Sequence, residues 1–245
     1  MLVDFYELTM GNGYLQYGMK DKVVYFDMFF RKVPDNGGFA IMAGVEQFIE
    51  YIGNLHFSQE DLEYLESCGQ FSPEFLEYLR DFRFTCDVWM MPEGTPIFPN
   101  EPIAIVRGPV IEAQFIETML LLAINHQSLI ATKANRIVRA AKGRAVMEFG
   151  SRRAQGYDGA LSGARAAYIG GCVGTSCTKA GKDYGIPVLG TMAHSWIQMF
   201  PSELEAFRAY ARAYPSNCVL LVDTYNVLKS GVPNAITAFR EEVVP

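Results

Sequence analysis

Paired cysteines are missing from this chain. Its five cysteines, Cys68, Cys86, Cys172, Cys177 and Cys218, are odd in number and show no CxxC spacing, so neither a disulfide framework nor a zinc site is indicated, and a reducing cytoplasm fits best. Long apolar runs are missing too. The richest, from Phe115 to Ile124, contains Glu117 and Thr118 and is too short to cross a bilayer. Met1 leads straight into patterned sequence without a basic and apolar signal segment, which predicts a soluble, cytoplasmic protein with no membrane partner. There is no cationic excess: a net charge of -6 excludes a general nucleic-acid surface, although it leaves room for a local basic pocket around a phosphorylated small molecule. Neither G-x-x-x-x-G-K-[ST] nor G-x-G-x-x-G occurs, which disfavours P-loop and Rossmann dinucleotide sites. What remains is a globular composition, half hydrophobic and a fifth charged, over 245 residues. That is enough for one large domain or a small domain plus a larger one.

Residues 1 to 108 read as a mixed α+β domain. A short helix closing on Gly18 is followed by a β-branched and aromatic run, Val23 to Val33, and a strong Pro34-Asp35-Asn36-Gly37-Gly38 turn, which together predict a hairpin with Phe39 to Ala43. Ser58 with Asp61, and Ser72-Pro73, mark two helix starts. Pro109 opens a long apolar helical segment to about residue 144 that connects two parts of the chain. His126 inside it reads as a structural, hydrogen-bonded residue. From Ala145 to Pro245 short apolar strands alternate with helices, and four such units imply a parallel sheet.

In parallel α/β folds ligands sit at the carboxyl ends of the strands, which directs attention to Phe149–Arg153, Gly174–Thr178, Thr191–Ser195 and Asp223–Tyr225. Phe149, Arg152 and Arg153 suit stacking on a flat ring while clamping phosphate or carboxylate oxygens; a core Phe beside a surface Arg pair is the alternative. Thr175 and Ser176 suit an anion near a helix start, or simple capping. Asp223 suits ribose hydroxyls or a metal-bound phosphate, or a helix cap. His194 follows the apolar run Ile186 to Leu189 and Gly190-Thr191, where an imidazole can act as base, nucleophile or ligand.

Ordered motifs then add up. DFYELTM, FFRKVP with GGFAI, SLIATKA, EFGSRRAQG, GGCVGTS, LGTMAHS and LLVDTYN run along nearly the whole chain, which in this respect resembles the nicotinate phosphoribosyltransferases. The resemblance implies an α/β fold with an N-terminal α+β domain followed by an α/β barrel of the type II phosphoribosyltransferase kind, working as a homodimer. It implies an enzyme that joins nicotinate to phosphoribosyl pyrophosphate, with ATP and Mg²⁺, through a phosphohistidine at His194, in pyridine nucleotide and NAD biosynthesis. Thr191 and Phe149 would contact nicotinate, Tyr6 of the neighbouring subunit would cover its other face, Arg152 and Arg153 would meet ligand and phosphate, and Asp223 would lie near the ribose. Thr175 and Ser176 supply hydroxyls where the nicotinamide-using relatives place an acid, which favours nicotinate. The nicotinamide enzyme and a non-catalytic ligand-binding fragment are the alternatives.

A closed barrel takes about 250 residues, yet only about 100 follow Ala145. The family's Asp-Ser-Gly-Asp-like segment, its further arginine and its glycine-rich phosphate loop do not occur before Pro245. The chain therefore reads as an N-terminal half with an open barrel edge, expected to be poorly soluble or swapped with another chain, and inactive alone.

Overall fold

The longest strands of the N-terminal region pair far apart in sequence. The computed structural model describes residues 1–243; Val244 and Pro245, the last of the expected barrel segment, lie outside the described residues. Helix α1 (Phe5–Gln16) precedes β1 (Val23–Phe29), which runs antiparallel to β5 (Pro102–Pro109), and β5 in turn to β3 (Asp87–Met90), in the order β1-β5-β3. The register runs from Val23 opposite Pro109 to Phe29 opposite Pro102, with an irregularity at Met28/Phe29.

The expected hairpin does not form. A tight turn does occur at Pro34–Asn36, but the next strand, β2 (Ala40–Ile41), pairs with β4 (Pro96–Ile97). Among the described residues, seven-residue β1 finds a matching length of backbone only in eight-residue β5, a pairing set by tertiary contacts that the local turn signal cannot report.

Three helices fill the loop between β2 and β3: α2 (Val45–Asn54), α3 (Gln59–Ser67) and α4 (Pro73–Arg80). Ser58 and Asp61 form the expected capping box, and Ser72 caps α4 with Pro73 in its first turn. Gly44, ahead of α2, has φ +103°, and a Cβ there would stand 2.4 Å from the Ala123 carbonyl oxygen, so the close approach of this turn to the long helix needs glycine. Phe57, Phe75, Phe82 and Phe115 form the aromatic centre of the core, with ring centroids 5.5 to 6.4 Å apart. Phe75 and Phe115 are fully buried.

The long helical segment is two helices, α5 (Val110–Gln114) and α6 (Glu117–Ala140). The break inserts Phe115 and Ile116 into the core, where both are at most 1% exposed. The start of α6 has no cap of its own; the buried carboxylate of Glu7 on α1 accepts from the Thr118 amide at 3.2 Å and its hydroxyl at 2.6 Å. Burial pushes the Glu7 carboxyl above the usual carboxylate range, against the hydrogen bonds from Thr118.

After α6, β6 (Met147–Glu148) pairs in parallel with β7 (Gly174–Thr175), with α7 (Tyr157–Ile169) between them and α8 (Thr178–Tyr184) after them. Pro187 contributes one further carbonyl, accepting from the Thr175 amide at 3.0 Å. The third and fourth expected strands, at residues 187–192 and 218–223, form no strand ladder among the described residues. Apolar runs alone do not make strands; each needs a neighbour offering a full edge of hydrogen bonds.

The chain divides into two compact units, Met1–Pro187 and Val188–Pro245. In the second, α9 (His194–Gln198), α10 (Glu203–Ala213) and α11 (Val232–Glu242) surround Met192, Ile197, Ala206, Phe207, Ala235 and Ala238. The Arg208–Glu241 and Arg212–Glu242 pairs link the surfaces of α10 and α11. No helix among the described residues is long and apolar enough to cross a membrane.

Candidate active site

In the first unit the site is built on Glu148, the last residue of β6. Its side chain accepts the Thr175 hydroxyl at 2.6 Å and the Gly150 amide, while its main-chain carbonyl accepts from Ser176 at 2.9 Å. One carboxylate thus fixes both the loop that follows β6 and the turn that follows β7. The Thr175 side chain is fully buried and also accepts from the Cys177 amide at 3.0 Å, so its hydroxyl organises the turn and faces no solvent. Ser176, beside it, is exposed.

With Glu148 holding the loop from below, Phe149 is 42% exposed and Arg152 and Arg153, in a 3-10 turn over Ser151–Arg153, are also exposed. Phe149 is therefore not a core side chain. An aromatic face and two guanidinium groups open to solvent at a strand end can stack a flat ring and receive an anion.

Tyr6 lies elsewhere on this unit, on α1 and 42% exposed, among Glu117, Glu7 and Asp4. Partial burial and the Glu117 carboxylate push its phenol up to about 12, so it stays neutral across the physiological range.

In the second unit His194 opens α9, exposed, with Nδ1 3.2 Å from the Thr224 hydroxyl. That contact ties the imidazole to the segment carrying Asp223, which is exposed one residue earlier. The cap of the following turn is Asn226, whose side chain accepts from the Lys229 amide at 2.8 Å, so Asp223 is free of that duty. Gly231 closes the turn where a Cβ would stand 1.9 Å from the Val222 carbonyl oxygen, which keeps the backbone close to this segment. Thr191 is exposed, and its hydroxyl donates to the Met192 carbonyl at 2.7 Å.

Glu148 and Thr224 do not stand out in the sequence. Each acts through a partner distant along the chain, and the one signal for either is its place beside a residue, Phe149 or Asp223, that ends an apolar run.

Comparison with known proteins decides the family. The model of the nicotinate phosphoribosyltransferase N-terminal domain matches residues 1–125, and that of the nicotinate phosphoribosyltransferase family matches residues 144–229. The chain belongs to the nicotinate phosphoribosyltransferase family. It is 48% identical over 236 residues to nicotinate phosphoribosyltransferase pncB2 of Mycobacterium tuberculosis, covering 96% of this chain and 50% of that protein. With the nicotinate phosphoribosyltransferase of Bacillus subtilis it shares 46% identity over 238 residues, covering 97% and 48%. The chain spans about half the length of the curated relatives it matches.

Its fold is similar to the crystal structure of human nicotinic acid phosphoribosyltransferase, with a TM-score of 0.90 and 31% identity over 99% of this chain and 58% of the human one. A second likeness is to nicotinate-nucleotide pyrophosphorylase from Pyrococcus furiosus, with a TM-score of 0.70, 25% identity, and 98% and 56% coverage. The mixed helix and strand architecture is thus the α/β fold of type II phosphoribosyltransferases, over the part of those enzymes that this chain spans.

Proposed function

We propose that this chain carries the nicotinate-holding and phosphate-accepting residues of an ATP-dependent nicotinate phosphoribosyltransferase acting in NAD biosynthesis. The observation that carries the reading is the strand-end loop held by Glu148, which exposes Phe149 and Arg152 together in a chain of this family. Phe149 stacks on the pyridine ring and Arg152 pairs with the carboxylate. The bond from the ribose anomeric carbon to pyrophosphate breaks with its electron pair going to the leaving oxygen, and a bond to the pyridine nitrogen forms. Oxocarbenium character develops at that carbon, which a carboxylate such as Asp223 stabilises and orients. Arg153 and Ser176 serve the phosphates, and Thr191 contacts the nicotinate. The turn Gly174–Thr178 carries hydroxyls and no acidic side chain, which favours nicotinate over its amide.

His194 is the proposed phosphate acceptor, with Thr224 fixing the rotation of its ring. No group of three or more His, Cys, Asp or Glu side chains among the described residues is arranged to hold a metal ion. Magnesium fits this chain only as a companion of the substrate phosphates, whose charge it neutralises. The exposed Phe5, Tyr6 and Met10 on α1 support a homodimer in which Tyr6 reaches the neighbouring site.

Two measurements test the reading. After incubation with γ-labelled ATP, acid-labile phosphate is expected on the protein and is expected to vanish in His194→Ala; label that survives this substitution overturns the phosphohistidine assignment. Phe149→Ala is expected to weaken nicotinate binding about tenfold, the loss of roughly 1.4 kcal/mol of stacking and burial. Calorimetry showing unchanged affinity would remove Phe149 from the site.

A further inference from the structure

Helix α1 is fastened to the start of α6 at neighbouring points. Glu7 accepts from the Thr118 amide and hydroxyl at 3.2 and 2.6 Å, the phenol of Tyr6 faces the Glu117 carboxylate, and one turn further along α1 Gly11 lies against the Phe115 ring, where a Cβ would stand 3.1 Å from it. Two adjacent residues of α1 thus meet two adjacent residues of α6. The contact that seats Glu7 also fixes where Tyr6 stands.

Glu117 is itself held in place. Gln114, the last residue of α5 and only 4% exposed, donates through Nε2 to the Glu117 Oε2 at 2.6 Å across the break between the two helices. No lysine, arginine or histidine pairs with Glu117 among the described residues. Its charge is therefore left to the phenol. Of the other acids around Tyr6, Glu7 is buried with its carboxyl pushed toward the neutral form, and Asp4 has the weakest influence on the phenol. Partial burial first, and Glu117 next, keep the Tyr6 hydroxyl protonated and so a donor. An acid in the first turn of α6 also suits the helix dipole, but that role requires neither Gln114 nor Tyr6.

The proposed reaction gives this arrangement something to act on. Forming the bond between the ribose carbon and the ring nitrogen turns a neutral pyridine into a pyridinium cation. An electron-rich aromatic face attracts the cation more than the neutral ring, and an interaction that grows along the reaction lowers its barrier. A phenol donating to a carboxylate is such a face, because the charge-assisted bond draws the proton away from its oxygen. We infer that Glu117 is a positioning residue, held by Gln114, that acts through the Tyr6 ring to favour the pyridinium over the neutral pyridine in the neighbouring subunit's site. The inference rests on the reading that places Tyr6 over the nicotinate ring.

Two ligands that differ at the ring nitrogen test it on the full 245-residue chain: nicotinate, and N-methylnicotinate, whose ring is already cationic. In calorimetry, Glu117→Gln is expected to weaken N-methylnicotinate binding about threefold more than nicotinate binding, and Tyr6→Leu is expected to weaken both. Equal losses for the two ligands in Glu117→Gln, which a purely structural role would give, overturn the inference. A second readout needs no ligand. The Cζ resonance of Tyr6, assigned among the thirteen tyrosines with Tyr6→Phe, is expected to move in Glu117→Gln and in Gln114→Ala at neutral pH, and an unmoved signal in Glu117→Gln overturns the inference as well. Urea unfolding reports that each variant remains folded. If the Cζ signal moves while Tyr6→Leu leaves both affinities unchanged, it is the placement of Tyr6 at the nicotinate that fails, and the role of Glu117 falls with it.

Discussion

Glu93→Ala is expected to lower the stability of the first unit by about 3–5 kcal/mol, the cost of leaving one member of a largely buried ion pair alone. Glu93, in the turn between β3 and β4, accepts from Arg165 of α7 at 2.6 and 2.8 Å and from the amides of Gly44 and Val45 at 2.7 and 3.0 Å. The two side chains are only 14% and 19% exposed, and Arg165 also reaches Glu46 and lies over the Tyr184 ring. One carboxylate thus ties the start of α2 to the helix that follows the Phe149 loop. The surface pair Arg208–Glu241 is the contrast: Arg208→Ala is expected to cost far less than Glu93→Ala, because water screens it. Urea unfolding of the three proteins separates these outcomes, and a Glu93→Ala loss no larger than that of Arg208→Ala would show that the pair does not anchor α7.

The same pair sets a pH dependence. Burial alone would raise the Glu93 carboxyl, but the Arg165 guanidinium and the two amides outweigh it and hold it below its ordinary value near 4.5. A group depressed in the folded state stabilises fully above its unfolded value and loses that contribution as pH falls through the folded one. Stability of the wild type is therefore expected to fall more steeply below about pH 4.5 than that of Glu93→Ala.

Phe115→Ala is the second large expected effect, again about 3–5 kcal/mol. Its ring is fully buried in the break between α5 and α6, against Phe57, Phe75 and Phe82, and its edge would stand 3.1 Å from a Cβ at Gly11 of α1. Rigid helix backbones on two sides limit collapse of the void. Phe115→Leu is expected to recover a large part of the loss by refilling volume; a thermal melt in which the two variants coincide would contradict a cavity as the cause.

Much of this was legible in one dimension. Capping at Ser58 and Ser72, the tight turn at Pro34–Asn36 and the parallel pairing after Met147 follow from local chemistry and hydrophobic period, because the interacting groups are neighbours in sequence or alternate regularly. The ordered motifs alone carry the family resemblance, and the strand-end stretches containing Phe149, Arg152, His194 and Asp223 are marked by the apolar run that each follows.

Only the tertiary structure decided the partners. It replaced the hairpin by β1 on β5, split the long helix at Phe115, and showed Thr175 buried as a support while Phe149 is exposed. It placed Glu148, Thr224 and Arg165 in contacts that link residues 27, 30 and 72 positions apart. It also left His126 without the hydrogen bond its setting suggests. The physical reason is common to all of these. Local propensity is written in adjacent residues, whereas burial, unsatisfied polar atoms and charge pairing depend on which distant surfaces meet, and those free energies exist only once the chain has closed on itself.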